Sequence, residues 1–324
     1  MSSNRNSARE KLIEQLIAPI GNDLLSGAAE IALQGITVLQ SIISAADTIN
    51  PYELKQDIEF ASRKLIEAQP AMASLFNIAN AVLKAIGNSN TVVEIKAESQ
   101  KVLDHYEKLL CDSAAKIADF AFDLIPSGEM VFAYSFSSTV LSSLLNARAK
   151  GRYFRVACSE SRPSMEGHKL ATLLASGGLE VISTFDSAMG IILPNCGVAF
   201  MGCDCISSPG LVNKTGSFLL ALACHELKIP LYALCDSTKF VGEERFFEFE
   251  NHQRSGTEVW ADAPPEVRIV NKQFELIPFD FITGLVTEQG IFTKSELAKY
   301  VTKTIKDTNL LNAAPPLLTA QQSA

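Results

Sequence analysis

Pro126-Ser127-Gly128-Glu129-Met130-Val131-Phe132-Ala133-Tyr134 is the stretch at which the pattern of this chain changes. Downstream of it, short apolar runs alternate with helical segments: Met130 to Tyr134, Tyr153 to Cys158, Leu179 to Thr184, Val198 to Met201 and Leu231 to Leu234. Such alternation predicts βαβ units and a mostly parallel, Rossmann-like sheet covered by helices. Upstream, from Ser7 to about Ile125, apolar residues recur at three- and four-residue spacing, the period of amphipathic helices. Ser7-x-x-Glu10 reads as a capping box, and Val93 to Ile125 as one long helix. Pro51, Pro70 and Gly87-Asn88-Ser89-Asn90 break the rest, so four or five helices are expected. The fold class is therefore α/β: a helical domain over 1–127, a Rossmann-like α/β domain over 128–311, and a loose tail over 312–324 rich in Ala, Pro, Gln and Ser.

Composition narrows the function classes. With 324 residues, 47% of them hydrophobic, the chain can bury two cores, since single cores stop growing near roughly 250–300 residues. A net charge of −8 and the lack of a Lys/Arg block argue against direct nucleic-acid binding. The apolar stretch from Gly216 to Cys235 is interrupted by His225, Glu226, Lys228 and Pro230, which argues against a membrane span there. The charged N-terminus does not read as a signal peptide. Seven cysteines with no CxxC suit reduced thiols, so a cytoplasmic protein without a disulfide framework is expected.

In open α/β sheets ligands bind beyond the carboxyl ends of the strands, and the polar loops of this chain fall there. Arg162, before Pro163, presents a guanidinium able to grip a phosphate through paired hydrogen bonds, or to form a surface salt bridge. Asn213-Lys214-Thr215-Gly216-Ser217 precedes an apolar helix, so free N–H groups, an ammonium and a hydroxyl meet where a helix begins; capping by Thr215 or Ser217 is the alternative. Lys239 follows the last strand, placed either for a second phosphate or for solvent. Asp204, in Gly202-Cys203-Asp204-Cys205, ends an apolar strand where burial would raise its pKa and suit it to acid/base work; a turn-capping carboxylate is the alternative. Cys203 and Cys205 flank it at strand period and are expected to face away from it. Neither a cofactor nor a zinc site is indicated.

Taken together, Ser159-x-x-Arg162-Pro163-x-x-x-Gly167, Gly202-Cys203-Asp204, Asn213-Lys214-Thr215-Gly216 and Ser237-Thr238-Lys239-Phe240 resemble the family shared by the alpha, beta and delta subunits of translation initiation factor 2B and the isomerases of ribose-1,5-bisphosphate and methylthioribose-1-phosphate. The segments Glu258-Val259-Trp260, Asn271 to Pro278 and Thr287 to Ile291 extend the resemblance to the C-terminal part. The resemblance implies a pocket for a phosphorylated sugar or nucleoside monophosphate, a homodimer or higher oligomer, and related subunits as partners. Segments covering a sheet edge would build the dimer surface, with Trp260 and Phe246-Phe247-Glu248-Phe249 as candidate anchors. In the isomerases the residue matching Asp204 transfers protons, together with a cysteine from a His-Cys-Asn triplet. Aligning that triplet with Phe132-Ala133-Tyr134 puts Ala133 at the thiol's place, and no histidine stands nearby to activate Ser135. An Arg-Gly phosphate grip corresponds to Ser26-Gly27-Ala28, and an Arg-Pro to Gln69-Pro70-Ala71-Met72, so two cationic contacts are missing. At about 1.5–3 kcal/mol each, their loss weakens a bisphosphate by about two to four orders of magnitude. The expectation is a non-catalytic or weakly catalytic regulatory protein resembling the alpha-type subunit. The alternative is an aldose-ketose isomerase with Asp204 as general acid/base.

Overall fold

A computed structural model of the chain describes residues 2–23, 26–70, 72–243 and 253–307. Five helices come first: α1 (Ser2–Asn22), α2 (Ala28–Ala45), α3 (Pro51–Ala68), α4 (Ala73–Ile86) and α5 (Val92–Phe122). No proline or glycine interrupts the chain before Ser7, so α1 starts at Ser2 and the Ser7–Glu10 pair lies inside the helix instead of capping it. Asn50 caps α3 by accepting from Tyr52 N, with Pro51 in the first turn, and Thr91 with Glu94 forms a capping box on α5. Ile13, Ile17, Ile31, Ile36, Leu39, Leu54, Ile58, Leu75, Ile78 and Leu103 interlock as the core of this bundle. α2 is long and apolar enough to cross a bilayer, but it buries Ile31, Ile36, Leu39 and Ile43 inside this core.

After a turn at 123–129 the chain enters β1 (Met130–Tyr134), α6 (Ser138–Ala149), β2 (Arg155–Ser159), α7 (Glu166–Ser176), β3 (Val181–Thr184), α8 (Met189–Ile192) and β4 (Cys196–Met201). A small antiparallel sheet follows, from β5 (Cys205–Ser207), β6 (Gly210–Lys214) and, later, β8 (Phe274–Ile277). Between them come α9 (Ser217–Leu227) and β7 (Leu231–Leu234); β9 (Gly284–Thr287), β10 (Gly290–Thr293) and α10 (Lys294–Asp307) close the described chain. The main sheet runs β10-β9-β7-β4-β1-β2-β3, all parallel except β10. The four-residue strands β9 and β10 extend one edge of it. The β5-β6-β8 sheet and the β9-β10 pair were not foreseen, because runs of three to five residues beside turns carry little periodic signal.

β1 is buried along its whole length, as a central strand covered on both faces must be. From β1 the chain winds one way through β2 and β3, then returns to add β4 on the other side of β1. The order therefore reverses between β1 and β4, and a crevice opens at their carboxyl ends. A small core of Ala73, Phe76, Cys205, Val212, Val241 and Phe274 packs α4 against the second sheet over this crevice. The expected tail from Asn312, the Phe246–Phe249 anchors and Ala71 lie outside the described residues.

Candidate functional site

The crevice is a cavity of about 280 Å³. Its walls are the segments after β1 (Ser135 to Ser138) and β4 (Gly202 to Asp204), the start of α2 (Ser26 to Ala28), Gln69 and Pro70 after α3, and the side chains of Glu166, Asn213, Lys214, Lys239 and Arg254. Thus Ser26, Gly27, Asp204, Asn213, Lys214 and Lys239, separated by up to 213 positions, meet at one place. Arg162 and Pro163 do not. The Arg162 side chain is exposed, with Nη2 3.4 Å from Val259 O, and the half-buried Pro163 follows it through a cis peptide bond. The backbone N–H groups of Ser161 and Arg162 donate to Asp186 at 2.9 and 2.8 Å, which turns this loop outward while α7 carries Glu166 inward.

Glu166 starts α7 on the end of β2, an approach so close that a Cβ at Gly167 would lie 1.7 Å from Ser159 O. Its Oε1 lies 3.1 Å from Lys214 Nζ, and its Oε2 accepts from Ser135 Oγ at 2.7 Å. Ser135 takes a left-handed conformation (φ 59°) as the chain leaves β1. The residue that β1 carries to the cavity is therefore Ser135, not Ala133. Ala133 sits within the strand and packs into the core with Ile117, Ala121, Val140 and Leu144. The expected placement of Ala133 at the reacting position is corrected, because strand alternation turns it towards α5 and α6. The carboxylate that accepts from the Ser135 hydroxyl is Glu166, 31 residues away, which sequence reasoning did not single out.

Asp204 lies in the turn between β4 and β5, its own N–H donating to Val212 O at 2.9 Å. It keeps part of its surface on the cavity, with protein packed around the rest. That burial pushes its carboxyl up to about 6; Lys239 and Lys214 pull it down, and Glu166 pushes it further up. Cys203 lines the cavity beside Asp204 instead of facing away from it. Strand alternation does not apply there, since β4 ends at Met201. Asn213 lies between Ser217 Oγ, 2.8 Å from one end of its amide, and Asp204 Oδ2 and Gly202 O, 3.3 Å from the other. The amide nitrogen belongs on the Asp204 side, where it donates to both oxygens, and the amide oxygen accepts from Ser217 Oγ, an orientation assigned from the hydrogen-bond network.

Lys239 is buried, with only 3% of its surface exposed. Burial alone would lower its pKa, but the charges of Asp236 and Asp204, with Cys235 and Cys203, raise it instead, so the ammonium persists. Its loop is strapped by α4: Asn77 Nδ2 donates to Thr238 O at 2.6 Å and Phe240 O at 2.9 Å, and Ser74 Oγ meets Thr238 Oγ1 at 2.7 Å. The start of α9 is not open. Glu275 Oε1 accepts from Gly216 N at 2.6 Å and Phe218 N at 2.8 Å, so neither Thr215 nor Ser217 caps the helix. Arg254, paired with Glu258 at 2.9 Å, is a third cation on the cavity that carried no signal in the sequence.

A buried carboxyl titrating near neutrality, a second carboxylate bound to a lysine, a hydroxyl and two buried ammonium groups around one cavity can bind an anionic polyol and move protons on it. Residues 24–294 match the Initiation factor 2 subunit family. A translation initiation factor eIF-2B subunit 2-like protein of Pyrococcus furiosus is 30% identical over 283 residues, covering 87% of this chain and 96% of the relative. A ribose 1,5-bisphosphate isomerase of Methanocaldococcus jannaschii is 26% identical over 286 residues, covering 86% and 91%. The crystal structure of the translation initiation factor eIF-2B of Pyrococcus horikoshii superposes with a TM-score of 0.74 at 27% identity, covering 87% of this chain and 96% of that one. By sequence along most of its length and by fold, the chain belongs to the initiation factor 2 subunit family.

Proposed function

We propose that this chain is an alpha-subunit-like member of the family that binds a phosphorylated sugar or nucleoside monophosphate in the β1–β4 cavity and acts as a regulatory protein within an oligomer of its own or related subunits. The observation that carries the reading is the meeting of Lys214, Lys239, Asn213 and the start of α2 at Ser26-Gly27 around a cavity of about 280 Å³. That volume is close to the roughly 300 Å³ at which small-molecule pockets begin, which suits a compact sugar phosphate. All seven cysteines are free thiols, in keeping with a reducing cytoplasm. The test is a melting-temperature panel of sugar phosphates and nucleoside monophosphates, with phosphorus NMR to follow conversion. A rise in Tm without new resonances supports the reading; a Tm indifferent to every compound refutes it.

A second reading, an aldose-ketose sugar-phosphate isomerase, is favoured by one observation. Asp204, raised to about 6, stands in the same cavity as Glu166, whose carboxylate meets Lys214 Nζ at 3.1 Å and the Ser135 hydroxyl at 2.7 Å, so a carboxyl poised to exchange a proton near neutrality lies beside a second, hydrogen-bonded one. New ketose resonances that vanish in Asp204→Asn, with binding retained, support it.

A further inference from the structure

The three cations on the cavity differ in what holds them. Lys214 is paired with Glu166 and Arg254 with Glu258, whereas the Lys239 ammonium has neither a hydrogen bond nor an ion pair among the described residues. It is buried on the cavity lining, so it is the cation that a ligand anion meets uncompensated. The charges nearest to it are those of Asp236 and Asp204. Asp236 is engaged by Thr238, whose N–H donates to it at 3.0 Å and whose hydroxyl bonds it as well.

What fixes Lys239 comes from α4. Lys239 ends a single 3-10 turn, Ser237–Lys239, which is too short to hold itself. The ends of the loop are pinned to the sheets: Ser237 N donates to Glu288 at 3.1 Å, and Val241 N donates to Ile206 O at 2.9 Å. Between them, Asn77 Nδ2 donates to Thr238 O at 2.6 Å and to Phe240 O at 2.9 Å, the carbonyls immediately before and after Lys239. Ser74 Oγ, one turn earlier on α4, meets Thr238 Oγ1 at 2.7 Å. Asn77 is itself buried, and its Oδ1 finds no partner in the protein. An unmet buried carbonyl destabilises, so packing alone would favour a leucine of nearly the same size; what the amide adds is its two N–H groups on the backbone that flanks Lys239.

We propose that Asn77 is a positioning residue of the ligand site: through the backbone on either side of Lys239 it fixes the unpaired ammonium of the cavity near Asp204, so that a helix of the N-terminal bundle sets how tightly a ligand anion is held. The inference rests on the sugar-phosphate reading of the cavity and names the residue that regulates its affinity. A cation that is ordered only when the ligand arrives costs affinity, and one held in place beforehand does not. Asp204 feels the same placement, since burial raises its carboxyl and Lys239 is the foremost charge that draws it back down.

The test is calorimetric titration of the full chain with ribose 5-phosphate for the wild type, Asn77→Leu, Lys239→Gln and the double variant, with the Asp204 carboxyl followed against pH by carbon-13 NMR and assigned through Asp204→Asn. Asn77→Leu keeps the volume and removes both N–H groups. It is expected to weaken binding about tenfold, the value of one charge-assisted contact, and to add no loss to Lys239→Gln, because both variants remove the same contact. The Asp204 titration is expected to move upward in Asn77→Leu, because the ammonium that draws it down is no longer held near it. Equal losses in the two backgrounds, or an Asp204 titration that stays at its wild-type position in folded Asn77→Leu, assign Asn77 to packing and overturn the proposal. Where Asn77→Leu does not fold, Asn77→Ser, smaller and with one donor left, is read by the same criteria; failure of both to fold overturns the proposal as well. If ribose 5-phosphate does not bind the wild type, the sugar-phosphate reading of the cavity falls, while the Asp204 titration still decides whether Asn77 positions Lys239.

Discussion

Asp204→Asn stabilises the protein at neutral pH, and the gain disappears in acid. The carboxyl titrates at about 6 in the folded chain against an ordinary 3.8. A raised carboxyl means that the folded state holds the proton more tightly, so stability is lost as pH rises from about 4 to about 6 and stays lost above that. At about 1.4 kcal/mol per pH unit the full cost is about 3 kcal/mol, and we discount it to about 2 kcal/mol because Asp204 keeps a face on the open cavity. For a chain of 324 residues the entropy of unfolding is about 0.7 kcal/mol/K, so the amide raises Tm by about 3 °C at pH 7.5. The assay is calorimetry or circular dichroism of wild type and variant at half-unit steps from pH 4 to 8. The expected curves meet near pH 4 and separate through pH 6. A constant offset across that range, or a less stable variant at pH 7.5, refutes the claim that burial of an unneeded charge dominates at this position.

Further substitutions probe the packing around the cavity. Lys214→Ala leaves Glu166 buried without its cation and is expected to cost about 3 kcal/mol, read by urea denaturation, while Glu166→Gln added to it recovers part of the loss. Gly167→Ala drives a Cβ to 1.7 Å from Ser159 O, so soluble yield should collapse and any folded product should lose more than about 3 kcal/mol. Glu275→Ala strips the carboxylate that caps α9 through Gly216 and Phe218 and should cost about 1–2 kcal/mol in chemical denaturation; an unchanged midpoint shows that water replaces it without loss.

How legible the molecule is in its sequence depends on the range of the interaction. Met130–Tyr134 and Leu231–Leu234 are strands with the very bounds their apolar runs suggest, and the long helix expected over Val93 to Ile125 is α5, which ends three residues earlier, at Phe122. Burial of one side of a helix, or of both faces of a central strand, is written into every few residues. The segments that carry Asp204 and Lys239 were also legible, since the ends of β4 and β7 collect at one edge of a parallel sheet whatever their separation, whereas Asn213 and Lys214 reach the cavity from β6 of the antiparallel sheet.

What local pattern could not carry is where each side chain turns once the loops are assembled. Only the packed molecule brings Ser135, and not Ala133, to the cavity, because that depends on which face of β1 meets α5 and α6. Likewise, Arg162 turns outward while Glu166, four residues on, turns inward, because Asp186 from beyond β3 fixes the loop between them. The pairings Glu166 with Lys214 and Glu275 with the start of α9 span 48 to 59 positions and leave no periodic trace. The sequence by itself determined the layers and the edge at which the chemistry gathers, since both follow from short-range hydrophobic periodicity; tertiary structure alone decided which carboxylates neutralise which cations, since close packing and charge pairing act between residues that only folding makes neighbours.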